Sequence, residues 1–175
     1  MKKLLLSMLV SATMIACTPK ETTTEAGTEV KSDSIGTVTS TGPDVDLIKN
    51  AFKYFAIGDW TNLAASYADG AKSFHNVWPS ESDTTAGLTI PQIIEVYKKQ
   101  RELMDGNINL DKSIYEVVTM PDGNKYGHSW VEMSWKSKKG VIEKRIIFSS
   151  YGINEEGKIT HHWPIYDPKD GLDPE

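Results

Sequence analysis

Ile108–Tyr166 reads INLDKSIYEVVTMPDGNKYGHSWVEMSWKSKKGVIEKRIIFSSYGINEEGKITHHWPIY, and its punctuation decides the fold. Three turn-rich breaks, Pro121-Asp122-Gly123-Asn124, Ser137-Lys138-Lys139-Gly140 and Asn154-Glu155-Glu156-Gly157, divide it into runs at about Ile108–Met120, Tyr126–Lys136, Val141–Ile153 and Ile159–Tyr166. Gly, Pro, Asn and Asp supply the backbone conformations of tight turns, and the runs between them are rich in β-branched and aromatic residues. Breaks at nearly even intervals predict an antiparallel meander of long strands, and long twisted strands make a strongly curved sheet.

Working upstream, Asp44–Ile57 places Val45, Ile48, Phe52 and Phe55 at three- and four-residue spacing, with Leu47, Ala51 and Tyr54 widening the stripe. That period predicts a helix buried along one face. Gly58 is placed to end it in a left-handed cap, and Asp59 to cap a short second helix, Trp60–Tyr67. A short strand, Lys72–Trp78, is expected next. A third helix begins at Thr89-Ile90-Pro91-Gln92, the spacing of a capping box with proline in the first turn. Ile90, Ile93, Ile94 and Tyr97 form its inner stripe, and Asp105-Gly106 stops it. The expected fold is α+β: three N-terminal helices packed on a strongly curved antiparallel sheet.

The N-terminus reads as an address. Lys2 and Lys3 precede the apolar run Leu4–Ile15, shorter than the roughly 20 residues of a membrane span but suited to a signal peptide. The run ends in Met14-Ile15-Ala16-Cys17, which holds the chain's one cysteine. This resembles the lipobox of bacterial lipoproteins, with Met14 where that motif usually has Leu. The resemblance implies a signal peptide at residues 1–16, lipidation of Cys17 and attachment to a membrane. Thr18 after the cysteine implies the outer rather than the inner membrane, by the rule known from enteric bacteria. With Cys17 acylated, no thiol remains for a disulfide, a nucleophile or a metal ligand. Thr18–Gly42 is rich in Thr, Ser, Glu, Lys and Gly and has no aromatic residue. Such a segment buries too little apolar surface to offset its ordering entropy, so residues 17–42 are expected to be a lipidated cysteine on a disordered tether.

Residues 43–175, about 130 of them, make one domain and hold every Trp, Tyr, Phe and His. The net charge of −5 and the lack of a large basic patch argue against nucleic acid and anionic bilayer surfaces as partners.

Helices on one face of a bent sheet enclose a conical cavity. In this setting Pro43–Asp167 resembles the NTF2-like superfamily, and within it the SnoaL-like group. The residues that carry the likeness are Ala56-Ile57-Gly58-Asp59-Trp60, Tyr67-Ala68-Asp69, Gly87, and Gly157-Lys158-Ile159 with Tyr166-Asp167. The resemblance implies an NTF2-like cone. It also implies a spread of activities, from isomerases, polyketide cyclases, dehydratases and epoxide hydrolases to members that only bind a ligand or a partner. Fold alone does not choose among them. Enzymatic relatives often carry a carboxylate midway along the last strand, where this chain has Pro164.

Adjacent strand residues face opposite ways. On a regular last strand His162 groups with Tyr166, and His161 with Trp163 and Ile165. On Gly127–Trp135, His128, Trp130, Glu132 and Ser134 alternate with Ser129, Val131, Met133 and Trp135. The second set is the more apolar and reads as the core face. A ligand cavity, apolar with a few placed polar groups, would instead take the first set. Both assignments stay open: His128, Trp130 and Glu132 either line the cavity or lie on a solvated convex face. His128, Glu132 and His162 are the candidate catalytic residues, because imidazole titrates near neutral pH and can pair with a carboxylate. Tyr54, Trp60, His75, Trp78 and Trp130 are the candidate ligand-binding residues, as amphipathic rings suited to a flat ligand. His75 and His128 lack the compact spacing of a zinc site, so no metal and no cofactor are expected.

The residues favour an envelope lipoprotein whose cone binds a small, partly apolar ligand. An alternative is a metal-independent cyclase, isomerase or dehydratase with His128 or His162 as general base. A further one is a module that dimerises, or binds a partner, through the open face of the sheet.

Overall fold

The computed structural model describes residues 36–75, 87–104 and 107–166, all within one unit, Ser32–Glu175. In chain order the elements are β1 (Thr37–Thr39), α1 (Pro43–Ile57), α2 (Trp60–Ala65), β2 (Tyr67–Ser73), β3 (Leu88–Thr89), α3 (Ile90–Leu103), β4 (Ile108–Thr119), β5 (Lys125–Lys136), β6 (Ile142–Ile153) and β7 (Ile159–Ile165). The mixed α+β architecture with a curved sheet follows the sequence pattern.

Local chemistry sets the helix ends. Gly58, at a φ of 77°, closes α1 in the left-handed conformation that L side chains avoid, and its N–H donates to the Phe55 carbonyl. The Asp59 carboxylate then accepts the Asn62 N–H at 3.1 Å and starts α2. Gln92 reaches back to accept the Thr89 N–H at 2.9 Å, and Pro91 lies in the first turn of α3. The meander closes through three tight turns, in which Gly123, Gly140 and Gly157 donate to the carbonyls of Met120, Ser137 and Asn154.

The strand order is β1-β4-β5-β6-β7-β2-β3. Four features differ from the sequence reading. The sheet is not wholly antiparallel, since β2 runs parallel to β7. Both strands set out from the same end, where the Ile159 N–H donates to the Ser66 carbonyl just before β2. The second helix stops at Ala65, and Tyr67 already belongs to β2, which begins five residues before the strand expected at Lys72. Two short strands, β1 and β3, join the sheet unforeseen. Finally, the tether is not disordered to Gly42: Thr37, Val38 and Thr39 pair with Thr119, Val118 and Val117. Three β-branched residues suit a strand, and the free edge of β4 offers them unpaired backbone groups. Cys17 with the remainder of the N-terminal segment, Trp78, and the expected stop at Asp105-Gly106 lie outside the described residues.

The core lies between the helices and the concave face of the sheet. Ile48 of α1, Ile93 of α3, Val131 of β5 and Ile159 of β7 are fully buried within one apolar cluster. Gly127 lets α1 approach β5, because any Cβ there would collide with the Ile48 side chain. No described helix is long and apolar enough to cross a membrane.

Candidate functional site

Within the core is a cavity of about 580 Å³, counting the part open to solvent; about 50 Å³ of it is reachable by the centre of a water-sized sphere. One water needs roughly 10–15 Å³ on the second measure, so the enclosed part holds a few waters or a single ring. Its apolar wall comes from Ala51, Phe52 and Phe55 of α1, Leu63 of α2, Met104 after α3, Met133 of β5 and Ile147 of β6. Polar groups converge from the other side: Tyr67 of β2, His75 just after it, Tyr97 and Gln100 of α3, Arg145, Ser149 and Tyr151 of β6, and His162 and Tyr166 on and after β7.

His162 stands at the centre of this set. It is 6% exposed, and its Nδ1 shares a 3.1 Å hydrogen bond with the Tyr67 hydroxyl. Its ring stacks on Tyr151, with centroids 4.7 Å apart and planes 9° from parallel. Its Nε2 is buried with no hydrogen-bond partner among the described residues. Burial, and secondarily the nearby His75, push the imidazole pKa down to about 3, so at neutral pH the ring is uncharged. A second pair lies beside it: His75 Nδ1 meets the Tyr166 hydroxyl at 3.0 Å. Burial also drives Tyr67, Tyr97 and Tyr151 well above the ordinary phenol pKa, so these hydroxyls keep their protons. Arg145, 7% exposed, is the one charged side chain among the described lining residues. Its guanidinium carbon lies 4.9 Å from the Tyr166 ring centroid and 5.8 Å from that of Trp135.

The tyrosine hydroxyls and His162 thus present uncharged hydrogen-bonding groups to the cavity. It can hold an apolar body and hydrogen-bond a polar end. No carboxylate lines it among the described residues, and Pro164 faces it from β7. Proline is tolerated there because β2 ends at Ser73, opposite His162, so that Pro164, paired with Ser149 of β6, has no partner on β2. Among the described residues, no three His, Cys, Asp or Glu side chains gather closely enough to hold a metal ion.

The structure divides the residues proposed from sequence. His162 and His75 line the cavity, whereas His128, Trp130 and Glu132 do not. These three occupy the outer face of β5: Trp130 is 40% exposed, His128 Nδ1 lies 3.5 Å from Glu116, and Glu132 lies 3.5 Å from the Lys144 ammonium. The expectation that they line the pocket is therefore corrected. The helices land on the face of Ser129, Val131, Met133 and Trp135, all buried, and that choice sends His128, Trp130 and Glu132 outward. Phe148 also faces outward, its ring centroid 5.1 Å from that of Trp130. Tyr54 and Trp60 pack half-buried against the core without lining the cavity, Trp60 edge-on to Phe55. His161 faces out, stacked on Trp163 and Phe74. Sequence reasoning missed Arg145, Ser149 and Tyr151 because β6 mixes apolar and polar residues on both faces. Their shared odd-numbered register with Ile147 was the available signal.

No protein-family model matches this sequence, and no curated protein sequence does. Solved structures are similar. A candidate polyketide cyclase from Xanthomonas campestris superposes with a TM-score of 0.54 at 13% identity, covering 77% of this chain and 97% of that one. AusH from Aspergillus nidulans gives 0.53 at 16% identity, over 71% and 84% of the two chains. A Mycobacterium tuberculosis protein solved in complex with estradiol-17β-hemisuccinate gives 0.50 at 9% identity, over 71% and 93%. At such identities the likeness is one of fold alone, and this chain shares the mixed α+β fold of these proteins.

Proposed function

We propose that the cone binds a small, partly apolar organic molecule, its apolar body against Phe52, Phe55, Met104 and Met133 and its polar end among the tyrosine hydroxyls and His162. The observation that carries this reading is the composition of the cavity: apolar walls with a few convergent hydrogen-bonding groups, the usual make-up of a small-molecule site. The mycobacterial protein of the same fold, solved in complex with estradiol-17β-hemisuccinate, supports an organic ligand as such; that ester is larger than the single ring the enclosed part of this cavity takes. Binding is favoured over turnover. His128 stands outside the cavity, and an imidazole with a pKa of about 3 is a weak general base at neutral pH. The cyclase, isomerase or dehydratase reading would therefore have to use His75, or His162 with its pKa raised by substrate.

In this proposal the domain works at the cell envelope, held by acyl chains on Cys17 in the outer rather than the inner membrane, as the N-terminal pattern implies. Protein purified from its own host without denaturation should release a small molecule on unfolding, detected by mass spectrometry. The intact mass should show an acylated Cys17, and Cys17→Ser should leave an uncleaved or soluble form. A cavity that neither copurifies with a molecule nor binds any single-ring compound would refute the ligand reading. A mature N-terminus other than Cys17 would refute the anchor.

A second reading, pairing with another copy, is favoured by the outer face. Ile114, Trp130, Phe148 and Ile165 stand in register across β4 to β7, and Ile114, Trp130 and Ile165 are 62%, 40% and 46% exposed. Ile146 beside the row is 65% exposed. On one side of the row lie Lys112, Glu132 and Lys144, and on the other Glu116 and His128. A two-fold axis along the row would set the more basic side of one copy on the acidic side of the other, as an isologous contact requires. Sedimentation should show a dimer that Trp130→Glu dissociates. A monomer at every concentration would overturn the pairing.

A further inference from the structure

Resting on the reading that the cavity takes an organic molecule, we propose that this ligand carries an un-ionised oxygen function, a hydroxyl or a carbonyl, and seats it at Nε2 of His162. A buried polar atom without a partner is rare in native structures and is commonly completed by a ligand or an ordered water. Here that atom belongs to a ring fixed on both other sides, by the Tyr67 hydroxyl at Nδ1 and by the Tyr151 face. The ring has little freedom to turn away, so the ligand must come to it.

The neighbours of Nε2 decide the charge of what can sit there. The groups facing His162 are Tyr67 from β2, Tyr151 from β6 and His75 after β2. The two tyrosines keep their protons, and no lining residue among those described is a carboxylate. An ammonium group would leave water for a site without a counter-charge. A carboxylate at Nε2 would face an uncharged imidazole, and Arg145 is not among the groups whose charge acts on His162. A hydroxyl or carbonyl loses the least hydration and fits either ring tautomer: a hydroxyl donates to a bare Nε2, and a carbonyl accepts from a protonated one. The narrow enclosed space restricts this end of the ligand to about one ring.

Four probes that differ only in their polar head test the assignment: toluene, p-cresol, p-toluate and 4-methylbenzylamine, titrated by calorimetry at neutral pH. p-Cresol should bind about tenfold more tightly than toluene, the scale of one hydrogen bond to an otherwise unsatisfied group. p-Toluate and 4-methylbenzylamine should bind more weakly than p-cresol. In His162→Phe the advantage of p-cresol over toluene should vanish while toluene still binds. The ¹⁵N shift of His162 Nε2 in the unaltered protein gives a reading independent of any variant, and should move with p-cresol and not with toluene. Tighter binding of either charged probe, equal binding of p-cresol and toluene, or an unmoved Nε2 would overturn the assignment while leaving the cavity a ligand site. Failure of all four probes would overturn the ligand reading itself.

Discussion

Lowering the pH from 7 to 5 should destabilise this domain chiefly through His162. An imidazole free in the unfolded chain titrates near 6.5, whereas burial and the neighbouring His75 lower that of His162 to about 3 in the fold. Between those values the unfolded chain binds a proton that the folded one refuses, so stability falls as pH falls. The contribution is fully present above pH 6.5 and is lost progressively toward pH 3. At 1.36 kcal/mol per pH unit, the loss is about 2 kcal/mol at pH 5 and on the order of 4–5 kcal/mol by pH 3. A loss of 2 kcal/mol is a large share of the 5–15 kcal/mol typical of a domain. Urea titrations at pH 7, 6 and 5, followed by tryptophan fluorescence, read it directly. Most carboxylates titrate below this window, and Tyr67 and Tyr151, which touch the ring, keep their protons throughout it. His162→Gln, which has no titrating ring, should show a pH dependence shallower than the parent by about 2 kcal/mol over the same range. Equal slopes in the two proteins, or a His162 resonance that titrates near 6.5, would refute the argument.

Phe55 is buried edge-on to both Tyr97 and Trp60, so Phe55→Ala should cost roughly 3–5 kcal/mol of unfolding free energy; a loss below about 1 kcal/mol would contradict its burial. Trp130→Leu, on the outer face, should leave p-cresol affinity for the cavity within about twofold of the parent by calorimetry; a larger drop would put Trp130 back in the site. A chain shortened to begin at Gly42 should melt several degrees lower than one beginning at Gly36, because β4 loses its β1 partner, and equal midpoints in calorimetry would show that β1 contributes nothing.

Much of the architecture was legible because it rests on local chemistry. The helical period of Val45, Ile48, Phe52 and Phe55, the cap at Gly58-Asp59, the Thr89–Gln92 pairing and the three turns act over a few residues, and each appears where its residues stand. The strict alternation of β7 likewise separated His162 and Tyr166 from His161, Trp163 and Ile165 before any packing was known. What failed was non-local. A Thr-Val-Thr segment becomes a strand only because β4 leaves an edge for it, and Tyr67 opens β2 rather than ending α2 because Ile159 lies waiting beside it.

The candidate site shows the same division. Period two on β5 places His128, Trp130 and Glu132 together and Ser129, Val131, Met133 and Trp135 together, and that much the sequence determined by itself. It did not determine which set faces inward, since each carries a tryptophan and each suits a pocket of some kind. Only the helices, by landing on one side, chose the concave face. In doing so they brought Tyr67, His75, Tyr151 and His162 into one cavity, where burial, and secondarily His75, keep His162 a neutral ring.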